Sequence, residues 1–242
     1  MDAQMIFRRV EVKYMLTAAQ AARLQDVLRE HMKPDRFAHS DIRNLYLDTD
    51  THRLVRRSLE KPLYKEKLRV RSYGPAGETD EIFIELKKKF DGIVYKRRLA
   101  IPCGEMLDAL ESGAPLPAEG QIAREIEAFR AFYGPTLKPA MFIAYDRDSW
   151  QARDAGEDLR LTLDTNIRYR TEDLSLRTGF RDIRLTEPGQ VLMELKSPGG
   201  LPLWMTRFLT EQKIRQVSFS KYGAAYCRLM TGNEEERNRE TA

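Results

Sequence analysis

Five stretches of the sequence place lysine, arginine and glutamate two residues apart, with apolar residues between them. Because side chains in a β-strand alternate between the two faces of the sheet, residues two apart share a face. Each stretch therefore predicts a strand with one charged and one apolar face. Guanidinium and ammonium groups gathered on one face are the groups that bind phosphate oxygens. The charged residues are Glu11, Lys13, Lys67, Arg69, Arg71, Glu85, Lys87, Lys89, Lys96, Arg98, Glu194 and Lys196.

The charged face has two interpretations. It is either a solvated sheet face, where opposite charges form weak surface pairs, or the inner face of a closed sheet that holds a polyanion. Solvated faces usually include serine, threonine, asparagine and glutamine, whereas these stretches use almost only lysine, arginine and glutamate. The chain also contains helices with apolar stripes, which need an apolar sheet surface to cover. Helices outside a barrel would leave the charges inside, so the pattern favours a tunnel.

A tunnel lined by these cations requires a bound polyanion, since buried charges are costly unless they are paired. Glu11, Glu85 and Glu194 could pair with the cations or hold a metal ion. Hard Mg²⁺ and Mn²⁺ ions prefer carboxylate and phosphate oxygens. A phosphate substrate bound with Mn²⁺ or Mg²⁺ would satisfy both signs of charge.

The elements that must position these residues are mainly strands. Thr17 predicts the start of a helix, Ser220 is a candidate N-cap of the last helix, and Asp91-Gly92 predicts a hairpin turn. Helical segments are expected near 53–59, around Trp204, and where Ile122, Ile126, Phe129 and Tyr133 recur at helical spacing. We predict an α+β fold, an antiparallel closed β-barrel of about eight strands with helices packed outside. The strands are expected near residues 6–15, 42–49, 63–73, 80–90, 93–101, 139–150, 158–169 and 190–197.

Length and composition fit one domain. Residues 1–232 are predicted to form it, and the polar segment 233–242 is predicted to be a disordered tail. The net charge of +4 is compatible with a cavity that is locally strongly positive. Cys103 and Cys227 match no disulfide framework or metal spacing, and both are predicted to be buried in a protein of a reducing compartment. No apolar run approaches the ~20 residues of a membrane helix, and no signal peptide is evident, so a cytoplasmic protein is expected.

Eight short motifs together carry a resemblance to a known family. They are R-x-E-x-K-Y at 9–14, NLYLDT at 44–49, KLRVRSYG at 67–74, ELKKK with VYKRR at 85–98, YDR at 145–147, RLTLD at 160–164, MELK at 193–196 and FSKYG at 219–223. In this order they resemble the VTC domain, the polyphosphate polymerase module of the triphosphate tunnel metalloenzymes, which is related to the CYTH group. The resemblance extends from about residue 6 to residue 230.

The resemblance implies a tunnel that binds ATP or another nucleoside triphosphate and moves its γ-phosphoryl group onto a growing inorganic polyphosphate chain. Glu194 matches the family's metal-binding glutamate, and Glu11 and Glu85 are further metal candidates from the charged face. The matching basic residues assigned to catalysis are Lys13, Arg69, Arg71, Lys87 and Lys196. Those assigned to phosphate binding are Lys96, Arg147 and Lys221, together with Ser220 beside Lys221. Lys89 occupies a tunnel position where the family varies, and Arg98 joins this set because it lies on the same face.

Two departures from the family bear on function. Arg9 stands where the wider tunnel group has the first glutamate of E-x-E-x-K, which weakens the interpretation as a triphosphate hydrolase. Eukaryotic polymerase subunits also carry a regulatory domain and a membrane segment. This chain is expected to have no membrane segment of its own, which leaves a separately encoded membrane partner open.

Three functions are therefore compared. The first is a polyphosphate polymerase-like phosphotransferase, the second a metal-dependent triphosphatase of the same fold, and the third a non-catalytic polyphosphate-binding module. Nucleic acid is not an expected partner, because aromatic residues are not interleaved with the basic face as base stacking requires.

Overall fold

The computed structural model describes residues 10–154, 158–177 and 181–240. The strands in this part of the chain are β1 Val10–Leu16, β2 Met32–Asp48, β3 Tyr64–Tyr73, β4 Glu81–Phe90, β5 Ile93–Pro102, β6 Lys138–Ala152, β7 Arg160–Arg170, β8 Ile183–Arg184 and β9 Val191–Ser197. The helices are α1 Ala18–His31, α2 Arg53–Leu59, α3 Cys103–Ser112, α4 Gln121–Tyr133, α5 Leu203–Glu211 and α6 Lys221–Glu240. The predicted α+β fold with an antiparallel sheet is confirmed.

One sheet contains the strands, in the order β1-β9-β7-β6-β2-β3-β4-β5, with β8 paired to β7. The pairings of β1 with β9, β2 with β3, β3 with β4, and β4 with β5 are antiparallel. Within the described ranges β1 and β5 end the order and do not pair with each other. Hydrogen bonds therefore do not close this sheet into a barrel.

The chain divides into two compact units, and β2, β6 and β7 each contribute to both. Unit 1 contains the described parts of Met1–Asp41, Tyr145–Ile167 and Thr186–Phe219. Unit 2 contains Ile42–Ala144 and the described parts of Arg168–Leu185 and Ser220–Ala242. Whether residues 1–232 act as one domain stays a prediction.

The core of unit 1 forms between α1, α5 and the apolar face of β1, β7 and β9. Leu24 and Leu28 of α1 are fully buried there, as are Met193 and Leu195 of β9. Glu194 lies between the last two in sequence, so strand alternation places it on the other face. Thr17 begins α1 as predicted, with a capping box in which the Thr17 hydroxyl and the Gln20 side chain accept each other's backbone N–H groups.

The core of unit 2 lies between the apolar face of β3, β4 and β5 and the helices α3 and α4. Leu68, Val70, Ile82, Ile84 and Leu86 are fully buried in it. The predicted hairpin at Asp91-Gly92 is present, and both residues have positive φ angles of 43° and 82°. That backbone conformation is the one that two-residue hairpin turns require.

Two local predictions differ from the structure. The second strand is not confined to 42–49 but starts at Met32, directly after α1, because β2 continues through unit 1 before it enters unit 2. Cys103 is buried as predicted, whereas Cys227 is exposed. Residues 6–9 of the predicted first strand and residues 241–242 of the predicted tail lie outside the described residues. Helix α6 includes residues 233–240, and the disorder of the tail stays a prediction.

Candidate functional site

The candidate site residues of unit 1 lie on the neighbouring strands β1, β9, β7 and β6. In the antiparallel register Lys13 of β1 is opposite Glu194 of β9, which is opposite Thr162 of β7. Glu11 is likewise opposite Lys196. Directly opposite side chains on one face are about 5 Å apart at Cβ, so the strand pairing alone brings these groups together. We call Glu11, Lys13, Arg147, Thr162, Asp164, Glu194 and Lys196 the Glu194 cluster.

Glu194 is the centre of this cluster and is 9% exposed. Its Oε1 lies 2.6 Å from Lys196 Nζ, and its Oε2 lies 3.4 Å from Lys13 Nζ. Lys13 Nζ also lies 3.7 Å from Glu11 Oε1 and donates to the Phe219 carbonyl at 3.2 Å. The Lys13 ammonium group is therefore held between two carboxylates.

Arg147 provides a third cation, and Asp164 fixes its orientation. Arg147 Nε and Nη2 donate to the two carboxylate oxygens of Asp164 at 2.6 and 2.8 Å. Such a two-point pair holds the guanidinium plane in one geometry. Burial by itself lowers the pKa of Arg147, but Tyr145, Asp164 and Glu194 outweigh burial and raise it. Arg147 therefore stays charged.

The ionisation of Glu194 follows from its neighbours. Burial by itself raises the pKa of a carboxyl group, but here Lys196, Lys13 and Arg147 outweigh burial and hold the pKa of Glu194 well below its ordinary value. The group is thus an anion at any physiological pH.

A divalent cation fits the donor atoms of this cluster. Thr162, opposite Glu194, has a buried hydroxyl without a hydrogen-bond partner among the described residues. Carboxylate and hydroxyl oxygens are hard ligands of the kind that Mg²⁺ and Mn²⁺ prefer. No group of three or more His, Cys, Asp or Glu residues suited to a metal occurs in the described part of the chain. Mg²⁺, however, is often held by only one or two carboxylates together with substrate phosphates.

The basic face of unit 2 is built from β3, β4 and β5, and it consists of parallel rows. In one row Arg69, Glu85 and Arg98 are opposite one another, and in the next row Lys67, Lys87 and Lys96 are. A third row joins Lys65 to Lys89 and Val94, and Arg71 lies opposite Phe83 beyond the first row. These positions share one face because each is two residues from the next along its strand.

Glu85 is the only carboxylate in these rows and is 2% exposed. Arg69 donates to its Oε2 from Nε at 2.8 Å and approaches it with Nη2 at 2.7 Å. Arg71 Nη1 lies 3.8 Å from Oε2. Lys96 Nζ and Arg98 Nε lie 2.8 and 3.6 Å from Oε1. Four cations therefore share one buried carboxylate.

The charge state of Glu85 reflects this crowding. Burial by itself raises its pKa, but Arg69, Arg71 and Lys96 outweigh burial and lower the pKa of Glu85 to about 2. For Lys96 the balance is the reverse, since burial outweighs the attraction of Glu85 and lowers the lysine pKa. A divalent cation at Glu85 would be repelled by the cations around it. The predicted metal role of Glu85 therefore has less physical support than that of Glu194 and Glu11.

Neighbouring polar and aromatic groups, which the sequence did not single out as site residues, orient the arginines. Arg71 Nε donates to Asn44 Oδ1 at 3.0 Å, and Arg69 Nη1 donates to the Tyr46 hydroxyl at 3.0 Å. Arg98 lies over the Phe83 ring, 3.6 Å from its centroid. The signal for Asn44 and Tyr46 was their period-two spacing in NLYLDT, which places them opposite Arg71 and Arg69.

The first turn of α6 brings Ser220 to the basic face. Ser220 Oγ accepts a hydrogen bond from Lys67 Nζ at 2.9 Å and another from the Gly223 backbone N–H at 3.2 Å. The second bond makes Ser220 the predicted N-cap of the helix. Tyr222 fixes this turn, because its hydroxyl donates to the buried Asp48 at 2.8 Å and its ring stacks on Tyr46.

The predicted site residues thus form two groups, each within one unit. Their convergence on one cavity stays a prediction, and so do their individual roles. Arg9 lies outside the described residues. The group in unit 1 is Glu11, Lys13, Arg147, Glu194 and Lys196, and the group in unit 2 is Arg69, Arg71, Glu85, Lys87, Lys89, Lys96, Arg98, Ser220 and Lys221.

None of the helices in the described ranges combines the length and apolar character needed to cross a membrane.

Comparison with known proteins gives a match to one sequence family and a fold shared with solved structures. The model of the VTC domain family matches residues 8–230. A solved structure of a candidate adenylate cyclase from Bacillus halodurans superimposes with a TM-score of 0.52 and 19% identity, covering 88% of this chain and 93% of that chain. A candidate adenylyl cyclase from Hippeastrum, described as having a dominant triphosphatase activity, gives a TM-score of 0.50 and 16% identity, with the same coverage of 88% and 93%. No curated protein sequence matches the chain. At these identities the two structures show a shared fold.

Proposed function

Because the chain belongs to the VTC domain family, we propose that it is a polyphosphate polymerase-like phosphotransferase. It would take the γ-phosphoryl group of ATP or a related nucleoside triphosphate and add it to an inorganic polyphosphate chain. Its working location is expected to be the cytoplasm, with or without a separate membrane partner.

The observation that carries this proposal is the excess of positive charge on the basic face. Arg69, Arg71, Lys96 and Arg98 all contact one carboxylate, Glu85. In the next row Lys67, Lys87 and Lys96 lie side by side, an arrangement that is unfavourable between like charges. A bound chain of phosphates would neutralise both rows at once, with arginine gripping pairs of oxygens and lysine acting as a point charge.

The Glu194 cluster supports phosphoryl transfer rather than binding alone. Glu194 and Glu11 would hold Mn²⁺ or Mg²⁺, with the Thr162 hydroxyl as a further oxygen donor. When bound, such an ion supplies positive charge to the phosphate oxygens as the reaction proceeds. Lys13 and Lys196 share the Glu194 carboxylate, and we propose that they turn toward the phosphates of a bound nucleotide.

The reaction requires no covalent enzyme intermediate. An anionic oxygen at the end of the polyphosphate chain attacks the γ-phosphorus, and a new P–O bond forms. The bond from the γ-phosphorus to the β–γ bridging oxygen breaks, its electron pair stays on that oxygen, and ADP leaves. The attacking oxygen is already deprotonated near neutral pH, since the second pKa of a phosphate is about 6. The work of Arg69, Arg71, Lys87 and Lys196 is then to hold the phosphates in line and to stabilise the developing charge.

Incubation of the protein with ATP and Mn²⁺ tests this proposal. We expect a ladder of polyphosphate on a gel, and its absence with Glu194→Gln. The second candidate, a triphosphatase, is favoured by the activity ascribed to the structurally similar Hippeastrum protein. Free phosphate without polymer would support that candidate. Polyphosphate binding without any metal-dependent turnover would support the binding module and overturn both enzyme proposals.

A further inference from the structure

The basic face does not end at the residues that contact Glu85. Beyond the row of Lys67, Lys87 and Lys96, the next row toward the Asp91-Gly92 turn joins Lys65 to Lys89. Both lysines are half-buried, and Val94 is the third member of their row. The row therefore extends the cationic surface to the end of the β4–β5 hairpin.

This last row contains two like charges without a compensating one. Among residues 10–154, 158–177 and 181–240, no carboxylate forms an ion pair with Lys65 or Lys89. Opposed side chains of this kind repel each other across a distance of about 5 Å at Cβ. Burial lowers the pKa of Lys65, and the neighbouring charges of Lys89 and Lys61 lower it further.

The two ends of the basic face differ in chemistry. The Arg69 row has an internal carboxylate and aromatic contacts that fix its arginines. The Lys65 row has only flexible ammonium groups, which attract phosphate without fixing its orientation. Lys65 lies four positions before Arg69 on β3, and at ~3.4 Å per residue this spans roughly 14 Å. A chain of phosphates anchored at the Arg69 row must therefore extend past the Lys67 row before it meets Lys65 and Lys89.

We infer that Lys65 and Lys89 form a distal subsite for the later phosphates of a polyphosphate chain. The arginine rows bind the triphosphate end, and the lysine row binds the chain that leads away from it. This inference rests on the proposed function for its ligand, but it requires only binding and no turnover. It predicts that affinity depends on the number of linked phosphates.

The test compares inorganic tripolyphosphate with long-chain polyphosphate in equilibrium binding at fixed ionic strength. The variant is Lys65→Met with Lys89→Met, which keeps the length of the side chains and removes the charges. Its matched control is Lys88→Met, since Lys88 lies on the same strand but on the opposite face, across from Glu66 and Tyr95. Thermal unfolding of each protein shows whether the fold is kept, and the single variant Lys89→Met serves if the double variant does not fold.

We expect the double variant to lose roughly tenfold or more in affinity for the long chain, since each lost contact to a charged phosphate is substantial. Its affinity for tripolyphosphate and both affinities of Lys88→Met should stay at the wild-type values. Equal losses for both ligands, or no loss for the long chain, would overturn the distal subsite. A wild-type protein that binds both ligands but makes no polymer would defeat the proposed function alone. A wild-type protein that binds neither tripolyphosphate nor long-chain polyphosphate would contradict both the distal subsite and the proposed function.

Discussion

A substitution at Glu194 is expected to affect catalysis and polyphosphate binding differently. Three cations hold it ionised, and two of them, Lys13 and Lys196, contact it directly. Under the proposed function, removing its charge would weaken the binding of a divalent cation, while the surrounding surface would become more positive. The same change should therefore affect turnover and anion binding in different ways.

Glu194→Gln should abolish metal-dependent turnover of ATP while polyphosphate binding is kept. The substitution preserves the shape of the side chain but removes the anionic ligand. Turnover and polyphosphate affinity are measured on the same preparation, with Glu81→Gln as the control, because Glu81 is exposed at the start of β4. Full turnover in Glu194→Gln would show that the carboxylate is not needed for the reaction.

Arg69→Ala should weaken tripolyphosphate binding by roughly 1.5–3 kcal/mol, the usual value of a hydrogen bond to a charged group. Calorimetric titration measures this change. Arg97→Ala is the matched control, since Arg97 lies on the opposite face of β5 and pairs with Glu125 at 2.7 Å. An unchanged affinity in Arg69→Ala would remove this residue from the site.

Glu85 should give the protein a measurable sensitivity to acid. Its pKa falls from 4.5 to about 2 in the folded state. The ionised carboxylate therefore stabilises the fold above pH about 4.5, and this stabilisation is lost as the pH falls toward about 2. Urea unfolding across this range should show a steeper loss of stability in the wild type than in Glu85→Gln. Parallel curves of stability against pH for the two proteins would show that Glu85 is not the source of the acid sensitivity.

At the scale of elements, the first turn of α6 is expected to position groups of the basic face, because Ser220 contacts Lys67 there. Tyr222→Phe removes the hydroxyl that donates to buried Asp48. The Asp48 carboxylate then accepts one hydrogen bond fewer. Stability should fall by about 1–3 kcal/mol, and tripolyphosphate affinity should fall as Ser220 loses its fixed place beside Lys67. Chemical denaturation and calorimetry measure the two effects.

Tyr226→Phe is the control for this prediction. Tyr226 lies one turn further along α6 and its ring contacts His52. Stability and affinity should both stay at wild-type values in that variant. Equal effects of the two substitutions would mean that the Asp48 contact has no special role.

The sequence predicted which face of a strand each side chain occupies better than it predicted which residues that side chain contacts. Alternation assigned Lys13, Arg69, Glu85 and Glu194 to charged faces correctly, because period two is a local property of a strand. The surroundings of Glu85 were not predictable, since they depend on the register of β3, β4 and β5. Four cations meet there only because residues distant in sequence pair side by side. A glutamate on a charged face could equally have been a metal ligand or a counter-ion.

At the scale of the whole molecule, a net charge of +4 conceals a strongly uneven distribution. The family resemblance supplied the expected ligand, and the antiparallel α+β fold was predictable from strand order and helix stripes. The open order of the strands was not predictable from the sequence, because closure of the sheet depends on whether its two end strands pair. The convergence of the two charged groups on one cavity stays a prediction, because no spacing in the sequence encodes it.

Tripolyphosphate should stabilise the whole protein against heat. A ligand that binds only the folded state at a concentration of 100 times its Kd adds about 2.7 kcal/mol. The melting temperature should rise with tripolyphosphate, and the rise should shrink as salt screens the basic face. Calorimetry at low and high sodium chloride measures both. A salt-independent shift, or none, would argue against an electrostatic site.

The buried Glu85 carboxylate also bears on how quickly a bound product departs. Glu85 contacts four cations, and under the proposed function it would compete with each incoming phosphate for them. Without such competition, a highly charged chain would gain so much from these cations that its dissociation would become very slow. Under the proposed function, Glu85 would weaken the binding of the chain and shorten its residence time. A polymerase whose product must move repeatedly through its site would then depend on this carboxylate for release.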